Sequence, residues 1–186
     1  MAKIILFRHG ETIDNKDKRF SGWADPPLTP EGEEMARKVG EQLKDEKVTK
    51  AFSSDLSRSK RSLELALEAY HPDIPGISDK RLRERNYGDL TGQSKDELAK
   101  KYPVDFPLWH RSYDVPPPNG ESIKQVEERV QPFIDELIKD LKPNDVVVIC
   151  AHSNSLRPFL KFFEGLSNEE MTKAEHAPGT VYSYTI

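Results

Sequence analysis

Cysteine is nearly absent from this chain: Cys150 is the single one among 186 residues. No internal disulfide and no cysteine zinc cluster can therefore form. That usage fits a reducing compartment, and a cytoplasmic setting is the expectation. Long apolar runs are also missing. The longest, Ile4 to Phe7 and Val146 to Ala151, are strand-sized, well short of the ~18 residues of a membrane span. Met1-Ala2-Lys3 leads straight into the first of them, so neither a signal peptide nor a membrane association is expected. Positive charge is not in surplus. Lys and Arg number 28 against 32 Asp and Glu, a net charge of −4, which argues against a nucleic-acid partner. No repeat or low-complexity tract is visible.

What remains is a polar chain of mean hydropathy −0.72 with 35% apolar residues. A domain of this length buries roughly 70% of its unfolded surface, so a real core is expected. Lys3 to Phe7 reads as a buried strand ending at Arg8-His9-Gly10. Thr29-Pro30 is a helix start, with Thr as N-cap and Pro at the first helical position; Met35, Val39 and Leu43 then follow at four-residue spacing. Ala51 to Ser53 is a short strand, and Leu56, Leu63, Ala66 and Tyr70 mark the apolar face of the next helix. A long helix is expected from Ser122 to Leu141, kinked at Pro132. Val146 to Cys150 is a central strand and Val181 to Thr185 a peripheral one. Strands alternating with helices predict one α/β domain over residues 1–186. Its mostly parallel sheet would carry helices on both faces, as a three-layer sandwich.

Residues 79–120 break that rhythm. They hold Pro103, Pro107 and Pro116-Pro117-Pro118 together with the aromatics Tyr87, Tyr102, Phe106, Trp109 and Tyr113. Long irregular stretches in compact domains are usually functional or disordered, and the aromatics argue for order. We read the stretch as an insertion folded over a site.

His9 follows the first strand and His152 the strand ending at Cys150-Ala151. Ligands of open α/β sheets bind at the carboxyl ends of the strands, so both imidazoles are expected in one crevice. Ser53-Ser54-Asp55-Leu56-Ser57-Arg58 brings Arg58 to the same rim, and Arg8 adds a second guanidinium. Alone, each is as well explained by a structural hydrogen bond or a surface ion pair. Together, with a helix N-terminus, they form an anion site suited to phosphate. Cys150 suggests a cysteine phosphatase, but position 156 is Leu, Arg157 stands one residue too far, and the loop lacks glycine. A buried strand residue is the simpler reading of that cysteine.

Arg8-His9-Gly10-Glu11-Thr12 resembles the signature of the histidine phosphatase superfamily, also called phosphoglycerate mutase-like. The resemblance extends over nearly the whole chain. Asn15, Arg19-Phe20-Ser21-Gly22-Trp23, Ser53 to Arg58, Leu82-Arg83-Glu84-Arg85-Asn86-Tyr87-Gly88 and Ala151-His152-Ser153-Asn154-Ser155-Leu156-Arg157 follow in the family's order. Each is weak alone; in sequence they are specific. The resemblance implies the family's fold and a metal-independent site. His9 would be the nucleophile, kept neutral by nearby positive charge. Arg8, Arg58 and His152 would hold the phosphoryl oxygens, and Glu84 would carry the proton. In the acid-phosphatase branch an Asp follows the second His; here Ser153 and Asn154 do, which disfavours that branch.

Within 79–120 the chain is similar to the cofactor-dependent mutase branch, with Tyr87, Lys95 and Trp109 to Pro118 in matching places. The resemblance implies that Asn15, Ser21, Gly22, Tyr87, Lys95, His110, Arg111 and Asn154 bind substrate. It also implies 2,3-bisphosphoglycerate as phosphoryl primer, and 3- and 2-phosphoglycerate as substrates. His110 stands where the first of two carboxylate-gripping arginines would be, and a His lacks the bidentate fork. Its unperturbed pKa near 6.5 would make binding pH-sensitive. The last strand ends directly at Ile186, whereas mutases of this family carry a tail over the site; without one, water would reach the site and phosphatase activity would rise. A phosphatase of small phosphate esters is thus the second reading and a non-catalytic phospho-ligand binder the third. A homo-oligomer is left open.

Overall fold

The computed structural model describes residues 1–186 as one α/β domain. Strand β1 (Lys3–Arg8) is buried on both faces, as an inner strand of a covered sheet must be. It pairs in parallel with β4 (Val146–Ala151), which pairs in parallel with β2 (Lys50–Ser53), and that in turn with β3 (Gly76–Ser78). Strand β5 (Val181–Thr185) runs antiparallel along β1, completing the order β3-β2-β4-β1-β5. The central strand and the peripheral last strand thus stand where the sequence expects them.

Alternation along β1 divides the core. Ile4 and Leu6 face helices α6 (Ile123–Asp140) and α7 (Ser153–Glu164), packing on Val126, Val130, Ile134, Leu156 and Phe159. Ile5 and Phe7 face α2 (Pro30–Leu43) and α3 (Ser57–Leu67), packing on Val39, Leu43, Leu63 and Ala66. These are the three layers. Thr29 caps α2 through its hydroxyl, which accepts from the Gly32 N–H. Ser122 and Gln125 form a capping box on α6, which runs through Pro132 without ending. One expected face residue is misplaced: Tyr70 lies beyond the end of α3 and is exposed.

The β1 exit is held by backbone packing. A Cβ on Gly10 would lie 2.0 Å from the Gly32 carbonyl oxygen, and one on Gly32 would lie 2.0 Å from that of Glu11. Only two glycines let the loop after His9 rest on the first turn of α2.

The stretch 79–120 is not a plain loop. It contains two 3-10 turns (Lys80–Leu82, Gly88–Leu90) and helices α4 (Lys95–Lys101) and α5 (Asp105–Arg111). Leu90 and Leu98 join Phe20 and Tyr87 in a small core of their own, with Tyr102, Phe106 and Trp109 packed around it. Arg85, fully buried, ties this unit down by donating to the carbonyls of Glu121, His110 and Val115. A buried guanidinium without such partners would cost several kcal/mol, so these carbonyls account for its position.

Candidate active site

The carboxyl ends of β1, β2 and β4 meet at one cavity. Its wall includes Arg8, His9, Asn15, Arg19, Ser21, Gly22, Arg58, Glu84, Tyr87, Lys95, His110, Arg111 and Asn154. Of the thirteen residues expected from sequence, twelve line it. His152 does not: it is fully buried beside His9, with the ring centroids 4.8 Å apart.

The His9 ring has a defined orientation. Its Nδ1 lies 2.7 Å from the Gly10 carbonyl, which can only accept, so Nδ1 carries the proton and Nε2 keeps its lone pair. Burial, then the guanidinium groups of Arg58 and Arg8, hold its pKa well below 6.5. The ring is therefore neutral at physiological pH, as a nucleophile must be. His152 is held down by the same causes, burial first and Arg58 next. Its Nε2 meets the Ser54 hydroxyl at 2.7 Å, and its Nδ1 has no partner.

Arg58 stands in the first turn of α3, where Asp25 accepts from the Ser57 N–H at 2.9 Å and so supplies the cap that Leu56 cannot. Two of its donors go to the carbonyls of Gly22 and Ala24, each at 2.8 Å, which also fixes the Ser21-Gly22 turn on the cavity wall. Arg8 donates to the His176 carbonyl, while its buried Nε has no partner. An orphaned guanidinium N–H beside a neutral imidazole is an incomplete hydrogen-bond set that an incoming anion would complete.

Glu84 enters from the inserted segment. Its Oε1 accepts from the backbone N–H of Arg85 at 2.7 Å and of Asn154 at 3.2 Å, leaving Oε2 without a protein partner. One oxygen is anchored and the other faces the cavity, an arrangement suited to proton transfer. Asn15 is oriented likewise: its Oδ1 accepts from the Thr12 N–H in the capping box of α1 (Ile13–Lys16), so its amide NH2 is free to donate. Asn154 donates from Nδ2 to the Tyr87 hydroxyl at 3.0 Å, leaving the Tyr87 proton available to a ligand.

The distal wall comes from α4 and α5. Lys95 opens α4 with its ammonium 5.1 Å from the centroid of the Phe20 ring. Burial, and then Arg8, lower its pKa. His110 and Arg111 close α5. His110 does not give the pH response expected from its free pKa: burial, then Arg111 and Lys95, press its pKa to about 3. It is a neutral donor or acceptor throughout the physiological range, packed on Phe20 and Phe106. Arg111 is not free, because it is ion-paired with Glu175. Glu175 and Arg19 also line the cavity. Arg19 lies within the Arg19-Phe20-Ser21-Gly22-Trp23 run, which holds no recognisable chemistry for it by itself; Glu175 carries no local signal at all. Cys150 is buried in β4 and burial pushes its thiol pKa up, so it takes no part.

A neutral, oriented imidazole ringed by guanidinium groups at strand ends defines a class of protein built to exchange anions of phosphorus. Comparison with known families agrees. The model of the histidine phosphatase superfamily (branch 1) matches residues 4–186, and the chain belongs to that family. It is 39% identical over 186 residues to a Schizosaccharomyces pombe protein named phosphoglycerate mutase, covering 97% of this chain and 88% of that one. It is 40% identical over 188 residues to the 2,3-bisphosphoglycerate-dependent phosphoglycerate mutase of Nitrobacter hamburgensis, covering 98% and 91%. Among solved structures it is similar to the alpha-ribazole phosphatase from Shigella flexneri, with TM-score 0.85, 26% identity and coverage of 99% and 90%.

Proposed function

We propose that the chain interconverts 3-phosphoglycerate and 2-phosphoglycerate through a phosphohistidine at His9, in glycolysis and gluconeogenesis. The observation that carries this reading is one cavity walled by cationic side chains, among them Arg8 and Arg58, which hold the His9 pKa down, and Lys95 and Arg111, brought in by α4 and α5. A phosphoglycerate is an anion at both ends. The names of the relatives support the same assignment.

Phosphoryl transfer asks for positioning and charge stabilisation more than covalent chemistry. From phospho-His9, an acceptor hydroxyl attacks phosphorus while the Nε2–P bond breaks and Glu84 Oε2 takes the hydroxyl proton. In the return step the His9 lone pair attacks the other phosphoryl group, and Glu84 gives the proton back to the departing oxygen. Arg8 and Arg58 bear the charge on the non-bridging oxygens, and His152, whose buried Nδ1 has no protein partner, adds a third contact. Asn15, Ser21, Gly22, Tyr87 and Asn154 surround the substrate with hydrogen-bonding groups. The orphaned Nε of Arg8 and the cationic distal wall suit a bisphosphate as well. Arg8, Arg58, Lys95 and Arg111 would hold 2,3-bisphosphoglycerate, which supplies the phosphoryl group that loads His9.

A second reading, a metal-independent phosphatase of small phosphate esters, is favoured by the distal wall itself. His110 is neutral and Arg111 already has an anion, so the grip on a carboxylate is weaker than two free arginines would give. Incubation with 3-phosphoglycerate, with and without 2,3-bisphosphoglycerate, separates the readings. The mutase forms 2-phosphoglycerate in a primer-dependent way with little free phosphate. Free phosphate as the main product makes the chain a phosphatase.

A further inference from the structure

Glu175 lies in the connection between α8 (Asn168–Lys173) and β5, and its place beside the cavity is built rather than incidental. The next residue, His176, is buried, and its Nδ1 meets the Tyr182 hydroxyl at 2.6 Å. The His176 carbonyl accepts from the Arg8 guanidinium, and the Gly179 N–H donates to the Arg8 carbonyl at 3.0 Å. This strap sets the Glu175 carboxylate at the cavity mouth, paired with Arg111 across 64 residues of chain. The Glu175 side chain is 75% exposed and that of Arg111 35%.

A carboxylate of the chain thus sits on the guanidinium that the reading above assigns to the carboxylate or second phosphate of the substrate. We propose that Glu175 is a specificity-determining residue that competes with the distal anion of the substrate for Arg111. With the pair closed, the Arg111 guanidinium is already compensated, and phosphate esters with uncharged distal ends are accepted. A phosphoglycerate binds by displacing the Glu175 carboxylate into solvent, its own anion taking the vacated donors. Exposed pairs of this kind are weak, so displacement requires only a small part of the binding energy. The proposal rests on the assignment of Arg111 to a distal anion, not on the fate of the phosphoryl group.

The test is calorimetric binding of 3-phosphoglycerate and of inorganic phosphate to the wild type, Glu175→Gln, Arg111→Ala and the double variant. Glu175→Gln should bind 3-phosphoglycerate about two- to fivefold more tightly, with phosphate affinity unchanged. The gain should vanish in the Arg111→Ala background. A merely structural role for Glu175 would not improve binding. Equal gains for both ligands, or a gain that survives loss of Arg111, would overturn the proposal, because Glu175 would then act only through the general charge of the cavity. Absence of 3-phosphoglycerate binding in every protein overturns it too. Should the gain appear while no 2-phosphoglycerate is formed in the turnover assay, the competition stands and only the mutase reading fails.

Discussion

The two ends of the cavity are made of different material. At the phosphate end, His9, Arg58 and His152 are each at most 2% exposed and stand where β1, β2 and β4 give way to loops or helices. Every one of them is packed by elements that also form the main core. At the distal end, Lys95 and Arg111 stand on helices of 7 residues each, joined to the domain through a small aromatic cluster and the buried Arg85. The rigid end suits the step common to all phosphoryl transfers, where preorganised charge matters most. The looser end suits recognition, which differs from one ester to another. Sites on strands and long helices are more precise than sites on excursions of the chain.

Substitutions sharpen that contrast. His9→Ala should produce the largest effect: loss of turnover on every ester, and no acid-labile phosphoryl adduct by intact-mass analysis after incubation with substrate. An adduct that persists moves the nucleophile elsewhere. Glu84→Gln should lower turnover of alkyl phosphates by ~10²–10⁴-fold and that of an activated aryl phosphate much less, since that leaving group needs no proton. Equal losses would point to another acid. Arg111→Ala should weaken kcat/KM for 3-phosphoglycerate by roughly ten- to a hundredfold, while sparing an ester that lacks a second anion. A uniform loss would mean that the distal wall does not read charge.

The smallest effect concerns protons. Burial holds His9 and His152 well below 6.5 and presses His110 to about 3 and His176 to about 4. In the unfolded chain all four titrate near 6.5, so below that pH the unfolded state binds more protons. Stability is then fully present above pH 6.5 and is lost as the pH falls toward the folded-state values. Urea midpoints should drop between pH 7 and pH 5. His110→Gln should remove part of that drop without touching the phosphate end, and an unchanged slope would mean that His110 is not held neutral.

The same contrast governs what could be read from the sequence. The phosphate end was legible because its residues follow apolar strands directly, in short contiguous runs such as Arg8-His9-Gly10 and Ala151-His152. The three layers were legible from the alternation and helical spacing around them. The insertion was harder. Pro103 and Pro107 hide α5, although a proline is tolerated in the first turn, where Pro107 sits. The edge strand β3 is three exposed residues with no alternation to detect. The environment of His110 depends on Arg111, Lys95 and Arg85 closing around it, so its intrinsic pKa was a poor guide. Glu175 was invisible because its meaning lies in a single long-range contact.

The two glycines at the β1 exit have a consequence for how this chain can vary. At most crowded positions a larger residue can be accommodated by trimming its neighbour. Here the atoms that a Cβ on Gly10 or Gly32 would strike all belong to the main chain, and no replacement at the opposing position removes them. The two sites therefore have no second-site suppressor in each other, and lineages of this chain can cross neither position by paired change. A saturation library should find both intolerant singly and jointly, with no epistatic rescue between them. The glycine of the Arg-His-Gly run is held by the backbone of a helix 22 residues away, and His9 beside it inherits that fixity.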